Sequence, residues 1–254
     1  MSTASPTLSA SVRSATAEQL APVVRVHAEL LAECTPLVDV AAARRRIASG
    51  QVGYDALKVL RSCGDLTSRF VRVLDAFEVT GFVSNAERRS LLEQELDIDD
   101  LVCGWFTGDR APRDARRRVA RQVAVVLGNA ILRGATARVG NPAVWRTWAR
   151  VVCPCCGGAP DFALVEHAHR TLVCAHCDAH WRAPRDGCLG CDATESPMAI
   201  ARVSNPALGF DLVMCNSCGR FLKERPQRGV AALLVERALS AELDLAAELR
   251  GLRI

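Results

Sequence analysis

Four Cys-x-x-Cys pairs lie between residues 153 and 218: Cys153/Cys156, Cys174/Cys177, Cys188/Cys191 and Cys215/Cys218. A C-x-x-C turn lets two sulfurs reach one ion. Four thiolates then close a tetrahedral site with no position left for water, which makes it structural rather than hydrolytic. The segments between the pairs indicate which of them share an ion. Phe162–Val165 and Thr171–Val173 flank a polar turn in the first unit, and Met198–Val203 and Phe210–Met214 flank Ser204–Gly209 in the second. Each unit reads pair, strand, turn, strand, pair, and a β-hairpin brings both of its pairs side by side. The pairs of the first unit are separated by 17 residues and those of the second by 23, close to zinc-ribbon spacing. Sequential pairing assigns Cys153, Cys156, Cys174 and Cys177 to one ion and Cys188, Cys191, Cys215 and Cys218 to the other. A cross-braced arrangement, first pair with third and second with fourth, is the alternative. Zinc and rubredoxin-like iron share this geometry, so two ions of either metal fit. Gly157 and Gly219 follow their pairs where a positive φ is often needed, and Asp178 and Asp192 hold the equivalent places in the other two.

The remaining candidate residues fit more ordinary roles. Cys155 sits inside the first pair with no place in a four-sulfur site and reads as a spare thiol. Cys34, Cys63 and Cys103 lie singly in helical or near-helical segments and read as core residues. His167, His169, His176 and His180 crowd the first unit, but with eight cysteines present no histidine ligand is required. Trp181 is expected to pack between the two ribbons.

The elements around these residues divide the chain by composition. Residues 1–14 read as a disordered tail, 15–143 as a helical domain, 144–228 as the tandem ribbons and 229–254 as a C-terminal helix, an α+β fold overall. The periodicity predicts helices over Thr16–Glu33, Leu37–Ala48, Leu66–Val79 and Arg113–Val139, with a capping box at Ser84-Asn-Ala-Glu87 opening another towards Leu96. Arg116–Arg118 reads as a solvated face, and Asp99-Asp100 as a solvated turn or helix start. Half of the 254 residues are hydrophobic, yet no run of eighteen apolar residues exists to span a membrane. The Ser/Thr/Ala-rich start lacks the charge and apolar block of a secretory signal. Twelve cysteines, eight of them in tight pairs, then indicate a reducing compartment, hence the cytoplasm. Eight thiolates around two divalent ions bring the formal charge of +4 to about zero, which weakens any inference of a nucleic-acid partner.

The residues around the pairs resemble the FdhE family, the formate dehydrogenase accessory proteins. The likeness lies in Cys153-Pro-Cys-Cys156-Gly, in Cys174-x-x-Cys177 followed by Trp181, and in Arg185 ahead of Cys188-x-x-Cys191. It continues in Cys215-x-x-Cys218 followed by Phe221-Leu-Lys223, where the family usually has Tyr-Leu-Lys. Trp145, Asp97-Ile-Asp-Asp-Leu101 and Leu243–Gly251 are looser echoes. The resemblance implies a cytoplasmic maturation factor that is not an enzyme. It implies a helical N-terminal domain, two rubredoxin-like metal sites, and binding to the catalytic subunit of a respiratory, molybdenum-dependent formate dehydrogenase that needs it for activity. Self-association stays open.

Two other classes compete. A nucleic-acid-binding ribbon protein needs a basic surface with interleaved aromatics, whereas residues 144–228 carry ten Lys or Arg against eight Asp or Glu. A thiol-redox protein needs a free, low-pKa C-x-x-C beside a βαβ pattern, and here every pair sits in a hairpin. The sequence carries no glycine-rich phosphate loop and no recognisable catalytic constellation.

Overall fold

The computed structural model describes residues 18–34, 36–108, 115–140, 145, 147–167, 169–184, 186–191, 200–205, 209–226, 233–240, 243–244, 247 and 250–252. Seven helices come first: α1 (Ala21–Glu33), α2 (Val40–Ala48), α3 (Ala56–Ser62), α4 (Leu66–Val79), α5 (Asn85–Leu92), α6 (Ile98–Thr107) and α7 (Ala115–Val139). Side-chain caps explain most of the starts. Asp39, Asp55, Asp65 and Asp97 each accept the N–H three residues on, and Ser84 and Glu87 form the expected reciprocal capping box. Each such cap contributes about 1 kcal/mol.

The caps also correct the predicted boundaries. α2 starts at Val40 rather than Leu37, because the Asp39 cap keeps the preceding residues extended. α5 stops at Leu92, short of Leu96. α3 and α6 were not expected as separate helices; both are short and open on an aspartate cap. The predicted tail lies outside the described residues.

α7 is the hub and packs against all six preceding helices. Val123, Ala124, Leu127, Ala130, Ile131, Leu132 and Ala135 on it are completely buried. The small residues let neighbours approach: a Cβ added at Gly128 would stand 2.3 Å from the Trp105 ring. No helix among the described residues is long and apolar enough to cross a membrane.

The second half forms a six-stranded sheet of β1 (Pro160–Glu166), β2 (His169–Cys174), β3 (His180–Arg182), β4 (Ile200–Asn205), β5 (Phe210–Cys215) and β6 (Phe221–Pro226). The order is β3-β2-β1-β6-β5-β4. β1/β2 and β4/β5 are the two expected hairpins. Each gains a third antiparallel strand, β3 or β6, made by the residues just after its second cysteine pair. The two ribbons then fuse edge to edge through a parallel pairing of β1 with β6, Phe162 opposite Lys223. A further helix, α8 (Leu233–Leu239), follows.

Trp181 does not lie between the ribbons. It sits on β3, the edge strand farthest from the second unit, and joins the core formed with α7. That core runs without a break from the helices into the first ribbon, where Cys153, Cys155, Cys156, Cys174 and Cys177 pack with Leu60, Leu127 and Ile131. Backbone bonds fasten the joint: the Gly53 N–H donates to the Pro154 carbonyl at 2.9 Å and the Tyr54 N–H to the Cys155 carbonyl at 3.1 Å. The Tyr54 hydroxyl lies 2.8 Å from Thr136 Oγ1 on α7.

Candidate metal centres

The register of each hairpin sets its sulfurs. Cys174 at the end of β2 lies opposite Pro160 at the start of β1, and Cys215 at the end of β5 lies opposite Ile200 at the start of β4. The chain leaving one pair is thereby held beside the pair that closes the unit. Two groups of sulfurs result, Cys153/Cys156/Cys174/Cys177 and Cys188/Cys191/Cys215/Cys218, each with all its sulfurs within 4.8 Å of one another. The grouping is sequential, not cross-braced. Cys153–Cys177 and Cys156–Cys174 are 3.5 Å apart, and Cys188–Cys218 and Cys191–Cys215 are 3.5 and 3.6 Å apart. A tetrahedron with metal–sulfur bonds of about 2.3 Å has edges of about 3.8 Å. Each group is therefore close to the size that would hold one metal ion.

The turns supply the usual support for thiolate charge. The N–H of Gly158 points at Cys156 Sγ (3.4 Å), that of His176 at Cys174 Sγ (3.4 Å) and that of Gly190 at Cys188 Sγ (3.2 Å). Gly157, Gly219 and Asp178 take positive φ values of 80°, 69° and 56°, as expected for the residue after a pair; Asp192 lies outside the described residues.

The chemistry of the donor set fits a dication. Burial pushes the thiols of Cys153, Cys156 and Cys174 well up. Burial opposes ionisation of Cys177 too, but hydrogen bonds from the other three sulfurs outweigh it and bring Cys177 well down. In the second group burial also opposes ionisation, yet backbone N–H groups of Cys218 and Ser217 help bring Cys215 to about 6, while Cys218 rises to about 12. Cys177 and Cys215 carry charge readily. Only a cation lets all four do so.

The two groups differ in exposure. Cys153, Cys174 and Cys177 are 0% exposed within the main core. Cys191 and Cys218 are only partly buried, in a small cluster with Ile200 and Val213. Cys155 is fully buried and stays outside both four-sulfur groups. Among the described residues, the histidines also stay out of these groups. His176 packs against the Trp105 and Phe106 rings at 4.8 Å, and His169 bonds Arg182.

A polar scaffold behind the first group was not anticipated. Arg237 of α8 donates to Asp161 Oδ2 (2.7 Å), Asp178 Oδ1 (2.6 Å) and the Cys174 carbonyl (2.8 Å). From the other side, Asn129 of α7 donates to the His176 carbonyl (2.9 Å) and Asp178 Oδ1 (3.1 Å), and its Oδ1 meets His27 Nε2 at 2.8 Å. The second cysteine turn of the first ribbon is thus gripped by both helices. Lys223 is 1% exposed; it lies 4.3 Å over the Phe162 ring and pairs with Asp244 at 2.7 Å and Ser240 Oγ at 3.1 Å. Arg225 pairs with Glu236 at 2.7 Å, and Arg170 of β2 pairs with Glu224 of β6 across β1. The only sequence signal for these pairs is charge inside otherwise apolar segments.

A helical bundle carrying two fused four-cysteine ribbons defines a tandem-ribbon protein. One solved structure of this architecture is the crystal structure of the FdhE protein from Pseudomonas aeruginosa. The two are similar over 91% of this chain and 83% of that one, with a TM-score of 0.61 and 20% sequence identity. The likeness is one of fold, and it is the fold that the motif resemblance led us to expect. No protein-family model and no curated protein matches the chain.

Proposed function

We propose that this chain is a cytoplasmic accessory protein, not an enzyme, that binds the catalytic subunit of a respiratory molybdenum-dependent formate dehydrogenase and is needed for its activity. The observation that carries this reading is a coincidence of two independent signals. The family-like residues cluster around the cysteine pairs, and the fold resembles FdhE across the helices as well, where those motifs are sparse. The eight cysteines are proposed as ligands: Cys153, Cys156, Cys174 and Cys177 for one ion, and Cys188, Cys191, Cys215 and Cys218 for the other. Either iron or zinc suits four thiolates in this geometry. The helices (15–143) and the ribbons (144–228) are taken as its two main modules, with 229–254 as a C-terminal helix.

The test is affinity capture of the full chain from native cytoplasm, with metal analysis of the same sample. The reading expects a formate dehydrogenase catalytic subunit together with two metal ions per chain, and loss of capture on Cys→Ser change in either group. Recovery of nucleic acid or ribosomes alone would overturn it.

A further inference from the structure

The sheet ends on β3, and the outer edge of that strand borders an open cleft. The Cys174 N–H donates to the Ala179 carbonyl at 2.9 Å and the Ala183 N–H to the Arg170 carbonyl at 2.8 Å, while Trp181 lies opposite Leu172. Bonded pairs alternate along an antiparallel ladder, so Ala179, Trp181 and Ala183 turn their N–H and C=O groups towards β2. His180 and Arg182 turn theirs outward, and among the described residues no strand or backbone group meets them. An edge of this kind is a template for one more strand.

The cleft beside the edge has room for it. The space measures about 840 Å³ and lies between β3 and the end of α7, with Thr136, Ala137, Gly140 and Trp145 on the helix side. Trp145 is 8% exposed, yet among the described residues its Nε1–H has no hydrogen-bond partner. The other indole of the cleft, Trp181, is satisfied by the Arg150 carbonyl at 3.2 Å. A buried N–H without an acceptor is destabilising, and a peptide carbonyl laid in the cleft would supply one.

Charge and alternation define the occupant. Asp178 is the one acidic side chain among the described residues that line the cleft, and Arg237 (2.6 Å) and Arg133 (3.4 Å) already neutralise it. Arg182 is exposed beside His169, with no carboxylate paired to it among the described residues. Exposed Arg44 stands at the end of α7, bonded to the Val139 carbonyl at 3.0 Å, so the rim is cationic. Along β3, Trp181 is buried and Arg182 is exposed on the opposite face. A strand added here would set apolar residues on the Trp181 side and acidic ones beside Arg182. Nucleic acid fits less well, because both indoles are buried and offer no open face for a base to stack on.

We propose that the free edge of β3 docks an extended segment of a partner protein in which apolar and acidic residues alternate, paired through the backbone of His180 and Arg182. The proposal rests on the cleft alone and stands whether or not that partner is a formate dehydrogenase subunit.

The experiment titrates the metal-loaded full chain with a short blocked peptide of alternating valine and glutamate, followed by NMR through amide exchange and indole shifts. The His180 and Arg182 amides should exchange freely in the chain alone and become protected as peptide is added, while the Trp145 indole resonance moves. The same peptide N-methylated along its pairing edge, and a second with lysine in place of glutamate, should bind about tenfold more weakly or worse. Added salt should weaken the glutamate peptide. An Arg182→Glu chain that retains both metals should bind that peptide roughly three- to tenfold more weakly. Protection of both amides in the peptide-free chain would overturn the proposal, since another segment or a second copy would already cover the edge. Amides left unprotected at saturating peptide would overturn it as well. So would equal binding of the N-methylated or lysine peptide, or protection by an oligouridine strand instead of the peptide.

Discussion

Replacing Arg237 with methionine keeps much of the side-chain volume and removes the one cation that, among the described residues, reaches Asp161. Asp161 and Asp178 have only 7% and 6% of their side chains exposed, so water cannot take over the role of the guanidinium. Breaking a buried ion pair by removing one partner costs about 3–5 kcal/mol, because the other charge is stranded. Asp178 keeps Asn129 and a longer pairing with Arg133 at 3.4 Å, whereas among the described residues Asp161 keeps nothing comparable; most of the penalty therefore falls on Asp161. In a chain of this length about 3–5 kcal/mol lowers the melting temperature by roughly 6–20 °C. Thermal denaturation of the metal-loaded Arg237→Met chain, monitored by circular dichroism, measures it. Adding Asp161→Asn removes the stranded charge, so the double variant should recover about 1–3 kcal/mol relative to Arg237→Met. A loss below about 1 kcal/mol, or strictly additive effects of the two substitutions, would refute the view that this cluster clamps α8 to the ribbon.

Three further outcomes follow from the same geometry. Asn129→Ala should lower stability by about 1–3 kcal/mol in urea denaturation, because it leaves buried His27, Asp178 and the His176 carbonyl without one bond each. Burial lowers the His27 pKa below 6.5 despite its bond to Asn129, so the unfolded chain takes up a proton that the folded one refuses. Stability from this group is complete above 6.5 and falls as pH drops towards the folded pKa; a pH series of unfolding free energies should show that fall shrink in His27→Gln. A chelator should empty the second centre first, since Cys191 and Cys218 are partly exposed while the first centre lies in the main core. Native mass spectrometry should then pass through a one-metal species, with unfolding of the helices delayed until the second ion leaves; simultaneous loss of both ions would contradict this.

Local signals were the legible ones. The Ser84/Glu87 capping box and α4 (Leu66–Val79) were readable because each depends on residues within a turn or on one apolar stripe. The grouping of the eight sulfurs was readable because a hairpin returns the chain to its starting point. α3 and α6 were missed because each is short and its aspartate cap also reads as a turn. β3 and β6 were missed because a three-residue strand, and a strand spelled Phe-Leu-Lys-Glu-Arg-Pro, lack clean alternation. The buried partners of Lys223, Arg225 and Arg237 lie on other elements than their own, and Asp161 is far from Arg237 in the chain. Trp181 was assigned to the wrong neighbour because its strand, β3, was itself not read from the sequence.

The parallel joint between β1 and β6 also sets an order of events at the ribosome. The first ribbon has all four of its sulfurs once Cys177 has emerged, and its hairpin needs nothing synthesised later than β3. Its outer strand β1, however, waits for Phe221–Pro226 to cover its free edge, and Asp161 waits longer still for Arg237. An exposed strand edge and an unpaired buried carboxylate are hazards for a nascent chain. Capture of the first ion before the second ribbon is made would hold the hairpin in register through that interval. A supply of metal during translation, and not only afterwards, would then decide how much of the chain reaches its final sheet.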